Sequence, residues 1–483
     1  MTEHPILAAR LPGMNADALG HVTQTYGPAD APVSIALPKL DAAAIAAVAA
    51  SVKTATRRTL KTYPVARIVD TLDAAIARLL DRAHPIRRQM DRLLPRLTGY
   101  DADMVGLGLT RYLMTFRKPE LLRFLAEDFP NPAILDGFQP LPKGGYGRAY
   151  GADLTAHIWA GNVPGLPLWS LAAGLLAKSG AVGKVPTAEP LFAGLFVDAL
   201  AEVDPALAEC IAVVWWQGGE EAPERALLEA AELALAYGGN AALAAIRART
   251  PITTRFLAYG HKVSFAMIGR EALDAAKTAE TARAAAYDVM RYDQQGCFAP
   301  HVIFVEAGGR SSPERFAGHL AQELQAFERT YPRRALSLGE AADVAAWRAA
   351  AETSPGGAVI GDPAGLWTVA FDDGTDGQFS PSSLNRAIRV VAVQRLEDVA
   401  ARVAPYRRLL QTAGLACAPD RLFALSAELG LAGVRRVAAL GDMTAPEAGW
   451  HHDGRFNILD LVEITEIDGR ALPTADRLAA YVD

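Results

Sequence analysis

"TAHIWAGNVPGLPLWSLAAGLLAKSGAVGKVPTAEP", residues 155–190, sets two short apolar runs, "TAHIWA" and "AVGKV", on either side of a Gly/Pro-rich junction and a segment of helix length. Each run is too short for a helix and apolar on both faces, as a strand buried from two sides must be. The segment between them, 165–178, reads as a helix, so the unit is strand, helix, strand. The pattern repeats downstream with a helix at 188–202, "CIAVVWW", a helix at 220–233 and "LALAYGG". Such alternation predicts a parallel sheet covered by helices on both faces. Sheets of this kind bind nucleotides beyond the C-terminal ends of their strands.

A second α/β stretch begins near Val263 with "VSFAMIG", a helix at 271–292, a loop holding Cys297, the strand "HVIFVE" and further elements to about Ala438. Upstream, residues 1–36 mix Pro, Gly and short apolar runs and read as an extended arm. Leu40 to Tyr63, Val65 to Leu94 and Arg117 to Phe129 carry apolar residues at helical spacing. "LPKGGYGRAYG" (141–151) is a Gly-rich connector, and the tail "RFNILDLVEITEID" alternates like a strand. A lone terminal strand often completes a neighbouring sheet. The expected organisation is an arm at 1–36, a nucleotide-binding domain at 37–260 with a connector or hairpin near 140–155, a second α/β domain bearing Cys297 at 261–440 and a tail at 441–483.

The 483 residues are 51% hydrophobic and 21% charged, with a net charge of −6, which describes a folded, mildly acidic chain too long for one core. No block of Lys or Arg is present to neutralise phosphates, which argues against nucleic acid and anionic membrane partners. Apolar runs such as "AAAIAAVAA" from Ala42 fall far short of a membrane span. The N-terminus lacks a basic-then-apolar signal pattern, so a cytoplasmic location without a membrane span is expected. Three cysteines, Cys210, Cys297 and Cys417, are too scattered for a disulfide framework or a zinc cluster.

Cys297 alone stands in a loop, within "YDQQGCFAPHVIFVE" (292–306). A cysteine attacks as its thiolate, which nearby amide donors stabilise, and Gly296 lets backbone approach a substrate oxygen with no Cβ in the way. The alternative for a lone cysteine is a small buried hydrophobe; Cys210, opening "CIAVVWW", and Cys417, at a strand end, fit that description. Asn162 sits at the first strand-to-helix junction, where its amide donates to an oxyanion or caps the helix. Lys184 ends the second strand ahead of a helix expected from Pro186 or Thr187, offering a cation and amide donors to ribose or phosphate. Gly238 and Gly239 in "AYGGNAALAAIR" open a junction suited to a pyrophosphate, although no G-x-G-x-x-G fingerprint is met. His261 in "YGHKVSF" is a proton carrier or fills a polar gap. His451 and His452 in "WHHDGRFN" are adjacent and point to opposite faces of an extended chain, a poor chelating pair, so no metal is expected.

In this order the stretches resemble the aldehyde dehydrogenase superfamily and, more closely, the LuxC-type acyl-CoA reductases. The similarity runs from about Leu40 to the C-terminus, with "GNVPGLPLWSL", "YDQQGCFAPHVIFVE" and "WHHDGR" its most specific parts. The resemblance implies an α/β fold with a Rossmann-type cofactor domain, an α/β catalytic domain and a small oligomerisation element, assembled as a homodimer or homotetramer. It implies that Cys297 is the acyl-accepting thiol and that Asn162, with the cysteine's backbone N–H, forms the oxyanion hole. It also implies that Lys184, Pro186, Thr187 and Glu189 in "GKVPTAE" bind the adenosine ribose and that Gly238 and Gly239 lie near the pyrophosphate.

One departure from the superfamily pattern is informative. "AYGHK" (258–262) stands where oxidising members carry Glu-Leu-Gly-Gly-Lys, so Ala258 replaces the glutamate that activates water, and His261 replaces a glycine. Without that base an acyl-enzyme hydrolyses slowly and survives to receive hydride. The expected reaction is NADPH-dependent reduction of an acyl thioester, carried by CoA or a protein, to the aldehyde through Cys297, with His261 protonating or orienting a leaving group. Lys184 and Thr187 suit a 2′-phosphate, whereas Glu189 suits a bare ribose and makes NADH the alternative. A companion acyl-activating ligase is an expected partner. Two rivals are a CoA-acylating aldehyde dehydrogenase running oxidatively and a non-redox acyl carrier.

Overall fold

The computed structural model describes residues 5–354, 356–375 and 379–479; residues 1–4 of the expected arm and 480–483 of the expected tail lie outside them. The chain divides into two compact units, one formed by residues 1–98, 108–260 and 447–483 and the other by 99–107 and 261–446.

The first unit is built on five parallel strands: β1 (Leu154–Ile158), β2 (Gly180–Lys184), β3 (Ile211–Val214), β4 (Leu233–Tyr237) and β5 (Arg255–Tyr259), in the order β5-β4-β1-β2-β3. Helices α1 (Pro167–Leu176), α2 (Phe192–Ala201), α3 (Glu221–Ala230) and α4 (Asn240–Arg249) connect them. One sheet face, with Leu154, Ala156, Val182, Val214 and Ala236, packs on Ile45, Val48 and Val52 of the helix Ala42–Arg58 and on Leu227 and Leu228 of α3. α1 and α2 are buried at nearly every residue, which explains why their sequences are apolar all round. The strand order reverses at β1: the chain proceeds to β2 and β3 on one side and returns to β4 on the other. The C-terminal ends of β1 and β4 therefore flank a topological switch point, the usual place for a ligand in such a sheet.

Several boundaries differ from the sequence expectation. α2 starts at Phe192 and not at 186–188, because the Glu189 carboxylate accepts the N–H groups of Leu191 (2.9 Å) and Phe192 (2.8 Å) and so caps the helix there. The helical stretch from Val65 splits into Val65–Leu80 and Pro85–Thr98. A turn at 81–84 separates them, and Pro85 suits a first helical position. Residues read as an extended arm form the strands Ile6–Leu7, His21–Tyr26 and Val33–Pro38 of one small sheet. The Gly-rich connector contains the strand Tyr146–Gly151, which pairs antiparallel with the tail strand Val462–Ile467 of the same chain. That tail strand lies at the edge of its three-stranded sheet.

The second unit carries β6 (Val263–Ile268), β7 (Pro300–Glu306), β8 (Ala358–Gly361), β9 (Thr368–Asp372), β10 (Ala387–Val393), β11 (Leu410–Ala416) and β12 (Arg436–Ala439). Their order is β8-β9-β10-β7-β6-β11-β12, and only the β8–β9 pairing is antiparallel. β6 is irregular at Ser264, where the register shifts against both β7 and β11. The helix expected at 271–292 is α5 (Lys277–Met290) and ends in a left-handed turn at 292–294. No helix among the described residues is long and apolar enough to cross a membrane.

Candidate active site

In the first unit the switch point is lined by the two junctions singled out from sequence. Asn162 is exposed on the loop between β1 and α1. That loop is anchored by Trp159, whose backbone N–H donates to Lys184 O (3.1 Å) and whose indole N–H donates to Ser170 Oγ (3.0 Å). Gly183 must be glycine, since a Cβ there would lie 1.8 Å from the Trp159 ring. Gly161 is confined in the same way, a Cβ falling 2.9 Å from the Ala188 Cβ, so the segments after β1 and β2 touch directly.

The residues of "GKVPTAE" divide in their engagement. Lys184 ends β2 half-buried, with its pKa lowered by burial against the opposing pull of Glu224. Thr187 is tied at both ends, its hydroxyl accepting the Trp215 indole N–H (3.0 Å) and its carbonyl accepting the Tyr26 hydroxyl (2.6 Å). Burial and the neighbouring Glu189 push the Tyr26 phenol up to about 12. Glu189 is almost fully buried on the N-terminus of α2, and burial pushes its carboxyl up to about 7. At the second junction, Gly239 is the N-cap of α4 and no side chain caps that helix. A Cβ on Gly239 would meet nothing within 4 Å, so this backbone is open to approach.

An aromatic wall that sequence reading did not foresee stands beyond β4 and β5. Tyr237 and Tyr259, the last residues of the two strands, stack at 4.7 Å, and His452 stacks on Tyr259 at 4.7 Å. Trp450 lies 5.0 Å from His452, and Trp169 of α1 donates its indole N–H to Asn457 Oδ1 (2.9 Å). His451 turns instead to Phe456 (5.0 Å), so the adjacent histidines serve different neighbours. No group of three His, Cys, Asp or Glu suited to a metal occurs among the described residues. The spacing of the aromatics, spread over four segments, gives no local pattern by which sequence could have grouped them.

In the second unit Cys297 lies in a turn between the left-handed segment and β7, partly exposed. Its carbonyl accepts the Ser264 hydroxyl (2.8 Å), and Ser264 Oγ in turn accepts the Thr412 N–H (3.1 Å). Ser264 thus bridges the irregularity in β6 with its side chain, where regular ladder bonds are interrupted. His261 is exposed ahead of β6, its ring 6.2 Å from that of His301. His301 is buried on β7, and burial together with His261 pushes its imidazole down to about 4. It too escaped sequence reading, since one polar residue inside a strand of otherwise apolar residues is an uncommon but unspecific signal. Of the other two thiols, Cys210 is buried and Cys417 is partly exposed. Burial pushes Cys210 up to about 11, and Cys417 is raised by burial and by Glu271.

The sequence profile of the acyl-CoA reductase family LuxC matches residues 60–464. The chain belongs to the LuxC family. Among the relatives of this LuxC chain, the long-chain acyl-protein thioester reductase of Vibrio harveyi is 25% identical over 318 residues, covering 65% of this chain and 64% of that protein. The chain therefore spans less than two thirds of the length of that relative. Two solved structures share the fold. Aldehyde dehydrogenase 21 from Physcomitrella patens superposes with a TM-score of 0.73 at 13% identity, covering 96% of this chain and 98% of the other. The NADP-dependent glyceraldehyde-3-phosphate dehydrogenase of Bacillus halodurans, complexed with NADP, gives 0.70 at 16% identity over 93% and 96%. The LuxC chain thus has the α/β fold of the aldehyde dehydrogenases, as its sequence led us to expect.

That fold implies a nicotinamide cofactor, and the residues present fit one. The uncapped N-terminus of the ten-residue helix α4 and the open Gly239 suit a pyrophosphate. The half-buried ammonium of Lys184 at the end of β2 suits a ribose or its phosphate.

Proposed function

We infer that this LuxC-family chain reduces an acyl thioester to the aldehyde, passing the acyl group through Cys297. The reading rests on one contrast among its thiols. Cys297 stands partly exposed in a turn with its carbonyl held by Ser264, whereas Cys210 is buried ahead of β3 and Cys417, partly exposed as well, follows the end of β11 where burial and Glu271 disfavour its thiolate.

The Cys297 thiolate bonds to the acyl carbon, the carbon–sulfur bond to the departing thiol breaks, and that thiol takes up a proton. The oxyanion formed on the way is stabilised by the Cys297 backbone N–H and by Asn162, the counterpart of the superfamily's asparagine. When bound, a reduced nicotinamide supplies hydride to the thioester carbon. The Cys297 hemithioacetal then collapses, releasing aldehyde and returning the thiolate, with His261 as the proton carrier. Ala258, on β5, offers no carboxylate to activate water, which favours reduction over hydrolysis. Lys184, Pro186, Thr187, Gly238 and Gly239 hold the cofactor. The helix-capping engagement of Glu189 withdraws it from a ribose 2′-hydroxyl and supports NADPH over NADH. The donor is a long-chain acyl group on a protein or on CoA, in keeping with the name of the Vibrio harveyi relative, and a companion ligase supplies it. The open edge of the tail strand supports a homo-oligomer.

The test is intact-mass analysis after exposure to acyl-CoAs of graded length. Acyl mass should appear on the parent protein and on Cys210→Ser and Cys417→Ser, vanish in Cys297→Ser, and leave as aldehyde when NADPH is added. Undiminished labelling of Cys297→Ser would overturn the mechanism. Stable labelling without aldehyde would reduce the protein to an acyl carrier.

A further inference from the structure

Two three-residue turns in the second unit adopt the left-handed conformation with no glycine in either. Tyr292, Asp293 and Gln294 have φ of 47°, 51° and 63°, and Leu384, Asn385 and Arg386 have φ of 63°, 58° and 64°. Side chains with a Cβ rarely occupy this region, and three in succession persist only where surrounding structure imposes them. Strain of this kind concentrates at functional sites. The first turn ends three residues before Cys297.

What imposes it is a clasp between the two turns. The Asn385 N–H donates to the Asp293 carbonyl (3.0 Å), and Arg386 Nε donates to Asp293 Oδ1 (2.8 Å), with both side chains fully buried. The remaining nitrogens of Arg386 go to Glu328 and to the Tyr331 carbonyl, so the guanidinium is fixed from three directions. The other Asp293 oxygen accepts the Arg334 N–H (3.3 Å). Asn385 Oδ1 receives both the Gln295 amide (3.0 Å) and Arg334. From the far side, the Gln294 amide donates to the Pro300 carbonyl (2.9 Å), bridging across the cysteine itself. A surface loop requires none of this.

We propose that the buried Asp293–Arg386 pair, with Asn385 and Gln295, is a positioning clasp that forces the left-handed turn and thereby sets the attack geometry of Cys297. These residues act through the loop and touch no reacting atom. The inference rests on the reading of Cys297 as the acyl-accepting thiol, and its test separates the two.

The experiment uses the full-length protein, Asp293→Asn and the milder Gln295→Ala. Tetradecanoyl-CoA, a long-chain donor, measures acylation of Cys297, and iodoacetamide with peptide mass analysis measures the reactivity of Cys297 and Cys417 in the same molecules. A small misplacement of a reacting group costs on the order of 10²-fold in rate, so Asp293→Asn should acylate about 10²-fold more slowly and Gln295→Ala about tenfold more slowly. Cys417, in the same unit, should keep its alkylation rate to within about twofold, and the affinity for NADPH should stay unchanged; a general loosening of the unit would instead expose Cys417 in step. Acylation at the parental rate in both variants, or Cys417 rising in parallel, overturns the clasp. If Asp293→Asn does not fold, Gln295→Ala decides by the same criterion. If the parent never acylates at Cys297, it is the functional reading that fails. The clasp then stands or falls on whether iodoacetamide reactivity at Cys297 changes about tenfold in the variants while Cys417 holds.

Discussion

Replacing Ser264 by alanine removes one oxygen atom and two hydrogen bonds that meet at the irregularity in β6. Ser264 and Thr412 are both fully buried, so the Thr412 N–H that the hydroxyl accepted loses its partner where water cannot replace it. An orphaned buried donor costs about 1–3 kcal/mol, and the lost bond to the Cys297 carbonyl adds about 0.5–1.5 kcal/mol, so about 1.5–4.5 kcal/mol is expected in all. In a unit of this size each kcal/mol moves Tm by about 2–4 °C, which makes the loss visible in calorimetry as a downward shift of several degrees. The second consequence is local. With its carbonyl released, the Cys297 turn loses its tie to β6 and β11, and acyl loading in a single-turnover experiment should slow by about 10-fold or more. Measuring both in one preparation separates them, because loading is read well below the unfolding transition. Stability within about 0.5 kcal/mol of the parent together with an unchanged loading rate would refute the bridging role assigned to the hydroxyl.

If Ala258 stands where the sequence resemblance puts the superfamily's base, Ala258→Glu supplies the missing carboxylate. Loaded acyl-enzyme should then hydrolyse faster, by up to the ~10²–10⁴-fold typical of general-base assistance, and yield less aldehyde per acyl group; equal thioester lifetimes in the two proteins would count against it. His157 is wholly buried on β1 with neither ring nitrogen bonded among the described residues, and burial pushes its imidazole down to about 3. The unfolded chain binds that proton near pH ~6.5, so stability is full above this pH and is lost as pH falls toward the folded value. His157→Leu removes the penalty, and its Tm should gain on the parent between pH 7 and pH 5; a constant difference would exclude His157 as the source. Truncation after Arg455 deprives the strand Tyr146–Gly151 of its partner and removes the open edge offered to another copy, so light scattering should find smaller or aggregated species. An unchanged elution volume would dismiss the tail as an assembly element.

The parallel sheet of the first unit was legible in sequence because each strand is buried on both faces and so reads as a short unbroken apolar run. The turn that carries Cys297 was legible as a loop for a different reason: Gly296 and the polar residues before it interrupt the apolar pattern between a helix and a strand. The groups that hold it were not. Ser264 looks like any strand serine until the register shift is seen, and Asp293 meets Arg386 across 93 positions of sequence that no local pattern connects. The start of α2 was misread because a glutamate two or three residues ahead of its hydrogen-bond donors caps as well as the usual short side chains do. The aromatic wall was missed for the same reason as the clasp, its members being assembled by topology alone.

The pairing of Tyr146–Gly151 with Val462–Ile467 also bears on how the molecule is made. The ribosome finishes the first strand some 300 residues before its partner. At about 5–20 residues per second, that strand waits roughly 15–60 s with an unsatisfied edge while residues 261–446 of the second unit are synthesised. The first unit, whose chain emerges earliest, is thus also the last to be completed. During that interval the nascent chain is exposed to edge-to-edge association with its neighbours on the same message, and chaperone dependence during expression should track the length of the delay rather than the stability of the finished fold.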